Sequence, residues 1–101
     1  MKKTKIIATI GPASSNKEVL RQMIIEGVDV CRLNFSHGSY EQHEAAINTI
    51  RELNIELNTN TAILVDLQGP KIRCDEMENN GVELIKDETV TITTDKRLGT
   101  K

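Results

Sequence analysis

The stretch Val28-Asp29-Val30-Cys31-Arg32-Leu33-Asn34-Phe35-Ser36-His37-Gly38-Ser39-Tyr40-Glu41-Gln42 decides the fold of this sequence. Val28 to Phe35 reads as a strand, and its period-two alternation puts Cys31, Leu33 and Phe35 on one face and Val30, Arg32 and Asn34 on the other. Ser39-Tyr40-Glu41-Gln42 then matches a capping box, in which a serine hydroxyl and a glutamine side chain satisfy the free amides of a helix start. The helix it opens carries an apolar stripe at Ala46, Ile47, Ile50, Leu53 and Leu57. One strand followed directly by one amphipathic helix makes a βα unit.

The same unit recurs on the amino-terminal side. Lys5 to Ile10 is a short β-branched run closed by Gly11-Pro12, and Ser15-Asn16-Lys17-Glu18 again fits a capping box. Val19, Leu20, Met23 and Ile24 form one helical face over about three turns, with Gly27 as the left-handed stop. On the carboxyl side, after the polar stretch Asn58 to Thr61, the run Ala62-Ile63-Leu64-Val65 predicts a third strand, buried on both sides as parallel strands usually are. Residues 5 to 67 therefore spell β-α-β-α-β, an α/β fold. At Gly69-Pro70 the rhythm changes. Asn80-Gly81 is a hairpin signal, and Val82, Leu84, Val90, Ile92 and Thr94 alternate with polar residues, so the tail predicts antiparallel β. The division expected is residues 1–70 and residues 71–101.

Composition bounds what such a chain does. With 101 residues it falls far short of the roughly 250 of a complete (β/α)8 barrel. Lysine and arginine number 13 against 15 acidic residues, for a net charge of -2, so no global positive field recruits nucleic acid or an anionic membrane. No apolar run approaches the ~20 residues of a membrane span, and Ile6 to Ile10 is too short for a signal-peptide core, so the expected location is cytoplasmic. Cys31 and Cys74 share no metal-binding spacing; Cys31 reads as a small core residue and Cys74 as a bystander.

The chemistry should collect at the carboxyl ends of the strands, where βα loops emerge. Those ends hold Thr9-Ile10-Gly11-Pro12, then Arg32 through Gly38, then Asp66-Leu67-Gln68-Gly69-Pro70, so polar residues and glycines collect at all three. Arg32 and Asn34 lie on the face opposite the helices, where an unpaired guanidinium is costly, so Arg32 calls for an anion. That anion is either a ligand or a carboxylate, with Asp66 and Glu26 the candidates. Asn34, Ser36 and Asp66 are hard oxygen donors suited to a cation beside a phosphate. Arg73 can add a second phosphate contact. Ser36-His37-Gly38 precedes a helix start, where free amides favour anions. The plainer readings are an ion pair for Arg32, turn roles for Asn34 and Ser36, a loop position for His37 and a solvated surface for His43.

Three strings bring a family into view. Thr4-Lys5-Ile6-Ile7-Ala8-Thr9-Ile10-Gly11-Pro12-Ala13-Ser14, Arg32-Leu33-Asn34-Phe35-Ser36-His37-Gly38, and Asp66-Leu67-Gln68-Gly69-Pro70-Lys71-Ile72-Arg73 closely resemble the amino-terminal region of pyruvate kinases. The resemblance is strongest through Arg73 and only a pattern match beyond. It implies a (β/α)8 TIM barrel, of which residues 1–70 would be the first part, interrupted after its third strand by an inserted antiparallel β-barrel lid that begins within residues 71–101. It implies phosphoryl transfer between phosphoenolpyruvate and ADP, giving pyruvate and ATP, with Mg2+ and usually K+, in a homotetrameric full-length enzyme.

By motif, Arg32 would contact the transferring phosphoryl group. Asn34, Ser36, Asp66 and the Leu67 carbonyl would form the monovalent-cation pocket, with Asn34, His37, Arg73 and Pro12 on the nucleotide side. Potassium-dependent members carry a glutamate after Gly-Pro, where this sequence has Lys71, and often threonine and lysine where it has Leu67 and Gln68. The Lys71 ammonium would replace K+. The magnesium ligands and the lysine that assists at the enol belong to later barrel strands, so these 101 residues alone are expected to be inactive. The competing readings are a free-standing phosphate-binding βαβαβ module without catalysis, and another barrel that binds phosphoenolpyruvate or a keto acid but lacks the inserted β unit.

Overall fold

The computed structural model describes residues 3–70 and 72–100. In chain order the elements are β1 (Ile7–Thr9), α1 (Lys17–Ile25), β2 (Val30–Asn34), α2 (Tyr40–Leu57), β3 (Ala62–Asp66) and a 3-10 turn at Glu78–Asn80. The strands form one parallel sheet in the order β1-β2-β3, with Ile7 opposite Val30 and Val30 opposite Ala62. Chain contacts separate two compact units, Met1–Gly69 and Pro70–Lys101. No helix among the described residues is long and apolar enough to cross a membrane.

The core of the first unit follows from the alternation of β2. Cys31 and Leu33 are buried, while Val30, Arg32 and Asn34 are only half-covered. Both helices share one apolar cluster with Cys31 and Leu33: Leu20 and Ile24 from α1, and Ala46, Ile50 and Leu53 from α2, with Ile10 beside them. The two helices therefore cover the same face of the sheet. Outside this cluster they are tied by Arg21, whose Nε and Nη2 donate to the two carboxylate oxygens of Glu56 at 3.0 and 3.1 Å, and by Lys17 Nζ to Glu52 at 2.8 Å. The guanidinium fork holds the Glu56 carboxyl below the ordinary carboxylate range.

The helix starts differ in how their caps are built. At α2 the Ser39–Gln42 capping box forms in both directions. At α1 the cap is Asn16, whose Oδ1 accepts from the Glu18 amide at 2.8 Å, rather than the expected Ser15. Ser15 Oγ instead donates to the Pro12 carbonyl, and the Glu18 carboxylate is taken by Arg21, so neither half of the expected box is available. Gly27 ends α1 with a positive φ of 110°. Asn58, in the left-handed region at φ 51°, ends α2. Asn54 then joins α2 to β3: its Nδ2 donates to the Thr61 carbonyl at 2.9 Å, and its Oδ1 accepts from the Thr61 amide at 3.0 Å.

Two expectations are corrected. β3 is not buried on both sides: Leu64 is 40% exposed and Val65 42%. Within the described residues β3 pairs only with β2, and no helix covers the face carrying Leu64, so its apolar run has half the cover a central parallel strand has. In the second unit the expected antiparallel strands are absent among the described residues. The tight turn forms one residue early: Asn79 and Asn80 both have positive φ, and the Gly81 amide donates to the Glu78 carbonyl at 3.0 Å. Met77 makes an isolated parallel bridge to Gly99 instead of opening a hairpin. Leu84, Val90 and Ile92 are exposed, and an unpacked pair of strands is marginal.

The core sets two expectations. Ile50→Ala should cost about 2–5 kcal/mol, whereas Asn48→Ala on the exposed side of the same helix should change stability by less than about 0.5 kcal/mol. Urea unfolding midpoints check this, and equal costs would contradict the packing. Burial also pushes the Cys31 thiol above its ordinary value, leaving little thiolate at neutral pH, while Cys74 is exposed. Alkylation with mapping by mass spectrometry should therefore label Cys74 in the native chain and Cys31 only after denaturation.

Candidate functional site

In parallel strands paired residues share a face, so the register places Ile7, Thr9, Val30, Arg32, Asn34, Ala62, Leu64 and Asp66 together, opposite the helices. The polar members of this set lie toward the carboxyl ends: Thr9 is opposite Arg32, and Asn34 is opposite Asp66. Sequence parity alone puts Arg32 and Asn34 on that face. The pairing adds the neighbours.

Arg32 spans all three strands. Its Nε donates to Asp66 Oδ2 at 3.0 Å, its Nη2 donates to the same oxygen, and its Nη1 donates to Thr9 Oγ1 at 3.0 Å. Of the two carboxylates considered, Asp66 is the partner, because the register carries it alongside Arg32 on an adjacent strand. Thr9 belongs to the polar end of β1 expected from the sequence, and its pairing to Arg32 adds the contact between them that the sequence reading lacks. A guanidinium has five N–H groups, so three such bonds leave two for an oxyanion. The side chains of Arg32 and Asp66 are 30% and 43% exposed, so the pair is screened by water and adds little to stability. It holds the fork in one orientation while leaving it reachable.

The β2–α2 loop leaves the sheet at Asn34. The Phe35 amide donates to the Asp66 carbonyl at 2.9 Å, which carries the ladder one residue past β2. Asn34 Oδ1 accepts from the Ser36 amide at 3.0 Å, and the Asn34 carbonyl accepts from the His37 amide at 3.2 Å, so Asn34 reverses the chain on itself. Ser36 is half-buried and His37 exposed. The helix begins at Tyr40, two residues after Gly38, with its cap at Ser39.

His43 is not merely solvated. Its ring stacks on Phe35 with centroids 4.2 Å apart and planes 11° apart, and its Nε2 lies 2.7 Å from the His37 carbonyl. A hollow of about 370 Å3 opens beside this stack, lined by Phe35, Ser36, Tyr40, Glu41, His43 and Gln68.

The other expected residues distribute as follows. Pro12 is exposed in the turn after β1, where the Gly11 amide donates to Ser14 Oγ and the Ser14 amide to the Gly11 carbonyl, both at 3.0 Å. The Ile10 amide donates to the Arg32 carbonyl at 2.9 Å, which holds this turn at the same sheet end as Arg32. Leu67 directly follows Asp66 and is exposed. Arg73 is exposed in the second unit, and Lys71 lies outside the described residues.

The first unit thus gathers Arg32, Asn34, Ser36 and Asp66 at neighbouring strand ends. The oxygen set has one carboxylate, an amide and a hydroxyl, with the Leu67 carbonyl next in sequence: hard donors with a single negative charge, which suit a monovalent cation. Asn34 Oδ1 and the Asp66 carboxylate keep lone pairs beyond the hydrogen bonds described. Among the described residues no three His, Cys, Asp or Glu side chains converge as a metal centre.

The model of the pyruvate kinase barrel domain matches residues 1–101. The chain is 46% identical over 100 residues to pyruvate kinases of Bacillus licheniformis and Staphylococcus saprophyticus, and 44% identical to that of Staphylococcus aureus. Each match covers 99% of this chain and 17% of the relative, so the chain spans about a sixth of the length of the curated relatives it matches. With the family matched along its whole length, and Arg32, Asn34, Ser36 and Asp66 brought to one end of a parallel sheet, the chain belongs to the pyruvate kinase family.

Proposed function

We propose that this chain contributes the phosphoryl-binding end of an enzyme that transfers a phosphoryl group between phosphoenolpyruvate and ADP. The carrying observation is Arg32, whose fork is fixed by Asp66 and Thr9 yet keeps two donors free at the carboxyl end of β2. In the direction of ATP synthesis, an oxygen of the ADP β-phosphate attacks phosphorus, the bond from phosphorus to the enol oxygen breaks, and the resulting enolate takes up a proton to give pyruvate. Arg32 would hold the non-bridging oxygens and offset charge that builds on them. Catalysis of this kind is positioning and electrostatics, which suits a rigid fork better than a flexible ammonium.

Asn34, Ser36, Asp66 and the Leu67 carbonyl would form the monovalent-cation pocket, taking K+ or an ammonium in its place, with His37, Asn34, Arg73 and Pro12 toward the nucleotide. Mg2+ would neutralise the phosphates, with its carboxylate ligands supplied by further strands of a (β/α)8 barrel. Two helices on one face of a sheet ordered β1-β2-β3 are what the first three strands of such a barrel require, and the family match over residues 1–101 favours the barrel over one half of a doubly wound sheet, which has the same local arrangement. Residues 71–101 would begin the inserted lid.

A coupled assay on the complete chain tests the proposal. Turnover of phosphoenolpyruvate with ADP and Mg2+ is expected. Arg32→Lys should lower kcat at least about 100-fold, because it keeps the charge and loses the fork. The 101-residue chain alone should be inactive. An undiminished Arg32→Lys enzyme would overturn the assignment.

The residue after Gly69-Pro70 carries a second proposal. An ammonium has the charge of K+, so Lys71 would supply internally what glutamate-bearing members take from solution. The complete enzyme should then be insensitive to K+, and Lys71→Glu should make it dependent. Strong activation of the unaltered enzyme by K+ would sink this idea.

A further inference from the structure

We propose that His43, on the second turn of α2, is a positioning residue that fixes the 36–38 loop for nucleotide binding. This rests on the phosphoryl-transfer reading above. A backbone carbonyl only accepts, so at 2.7 Å from the His37 oxygen the His43 Nε2 must carry a proton and donate. The ring that donates is also held in place. It lies flat on Phe35, and the Phe35 amide is bonded to the Asp66 carbonyl at 2.9 Å. His43 therefore links the sheet to the loop through two contacts, one a stack and one a hydrogen bond.

The loop sits directly on this ring. Gly38 has φ 74°, and a Cβ there would come within 3.0 Å of Gln42 Oε1 and 3.3 Å of His43 Nε2. Ser36 and His37, the residues assigned to the cation and nucleotide, fall between the Asn34 turn and this contact. His43 also lines the hollow beside Ser36 and Gln68. Its loss would free the His37 carbonyl and let the loop leave the conformation in which Ser36 and Gly38 line that hollow. Arg32 and Asp66 would be untouched, because the strand ladder holds them.

Three variants of the complete enzyme separate the two contacts. His43→Leu removes both, His43→Phe keeps the stack, and His43→Gln keeps an N–H donor of similar reach. For His43→Leu the KM for ADP should rise about three- to tenfold, the worth of one hydrogen bond, while the KM for phosphoenolpyruvate, which is held by Arg32 on the ladder, stays within about twofold. His43→Gln should recover part of the ADP affinity and His43→Phe less. Two readouts do not depend on turnover. Nitrogen NMR should find the His43 ring protonated at Nε2, and amide exchange at Ser36, His37 and Gly38 should accelerate in His43→Leu while Ala46, Ile50 and Leu53 stay protected. A ring protonated only at Nδ1, unchanged loop exchange, or a KM shift for phosphoenolpyruvate instead of ADP would each overturn the inference. A complete chain with no turnover would overturn the nucleotide role together with the kinase reading, and the exchange rates would still show whether His43 holds the loop.

Discussion

Burial of Cys31 and Leu33 beneath the two helices is the constraint on which the rest depends. Strand side chains alternate strictly, so once these two are committed to the core, Arg32 and Asn34 have only the opposite face to occupy. A slip of one residue in β2 would drive a guanidinium into the cluster of Leu20, Ile24 and Ile50 and expose Leu33. The apolar core thus aims the polar site without touching it. The same alternation works through the register: Val30 paired to Ile7 and to Ala62 brings Thr9 and Asp66 onto the face of Arg32.

That face has an unusual mixture of residues. Ile7, at 58% exposure, and Leu64 surround a charged pair and two neutral oxygen donors. A screened ion pair between half-exposed groups contributes little to stability, so Arg32 and Asp66 are poorly explained as a stabilising device. They are better explained as an orienting one. Asp66 and Thr9 between them fix three guanidinium nitrogens, and this removes the rotamer freedom a free arginine would lose on meeting an anion. The helix-facing side shows the contrast. There Arg21 sets Nε and Nη2 on the two oxygens of Glu56, where Arg32 sets both on one oxygen of Asp66, and it lies outside the apolar cluster, tying α1 to α2.

How much of this was legible in the sequence depended on whether the determining interactions were local. The β-α-β-α-β order, the Ser39–Gln42 box and the Gly27 stop are set by neighbours within four residues, and they stand as read. At α1 two cap-competent residues stand side by side, and the choice fell to Asn16 because Glu18 is drawn to Arg21. The exposure of β3 depends on which elements cover its far face, which its own residues do not encode. In the second unit a hairpin turn is expected at Asn80-Gly81, but the left-handed conformation falls on Asn79 and Asn80 and no hairpin forms among the described residues. A one-residue shift of this kind redirects every flanking side chain, and Met77 meets Gly99 rather than a hairpin partner. For the site, parity found Arg32 and Asn34, whereas the contacts of Thr9 and His43 required a neighbouring strand and a folded loop.

The site residues consequently rest on two kinds of support. Arg32, Asn34 and Asp66 sit within the ladder, where paired amides and carbonyls fix them and side-chain changes elsewhere on the loop leave them in place. Ser36 and His37 lie past its last bond, from the Phe35 amide to the Asp66 carbonyl. Their placement falls to individual side chains: Asn34 from one side, and His43 stacked on Phe35 from the other. An anion on Arg32 meets a surface built by the sheet, whereas a ligand reaching Ser36 and His37 meets one built by a handful of side-chain contacts. Changes in loop sequence can therefore retune the second without disturbing the first, because the two depend on different hydrogen bonds.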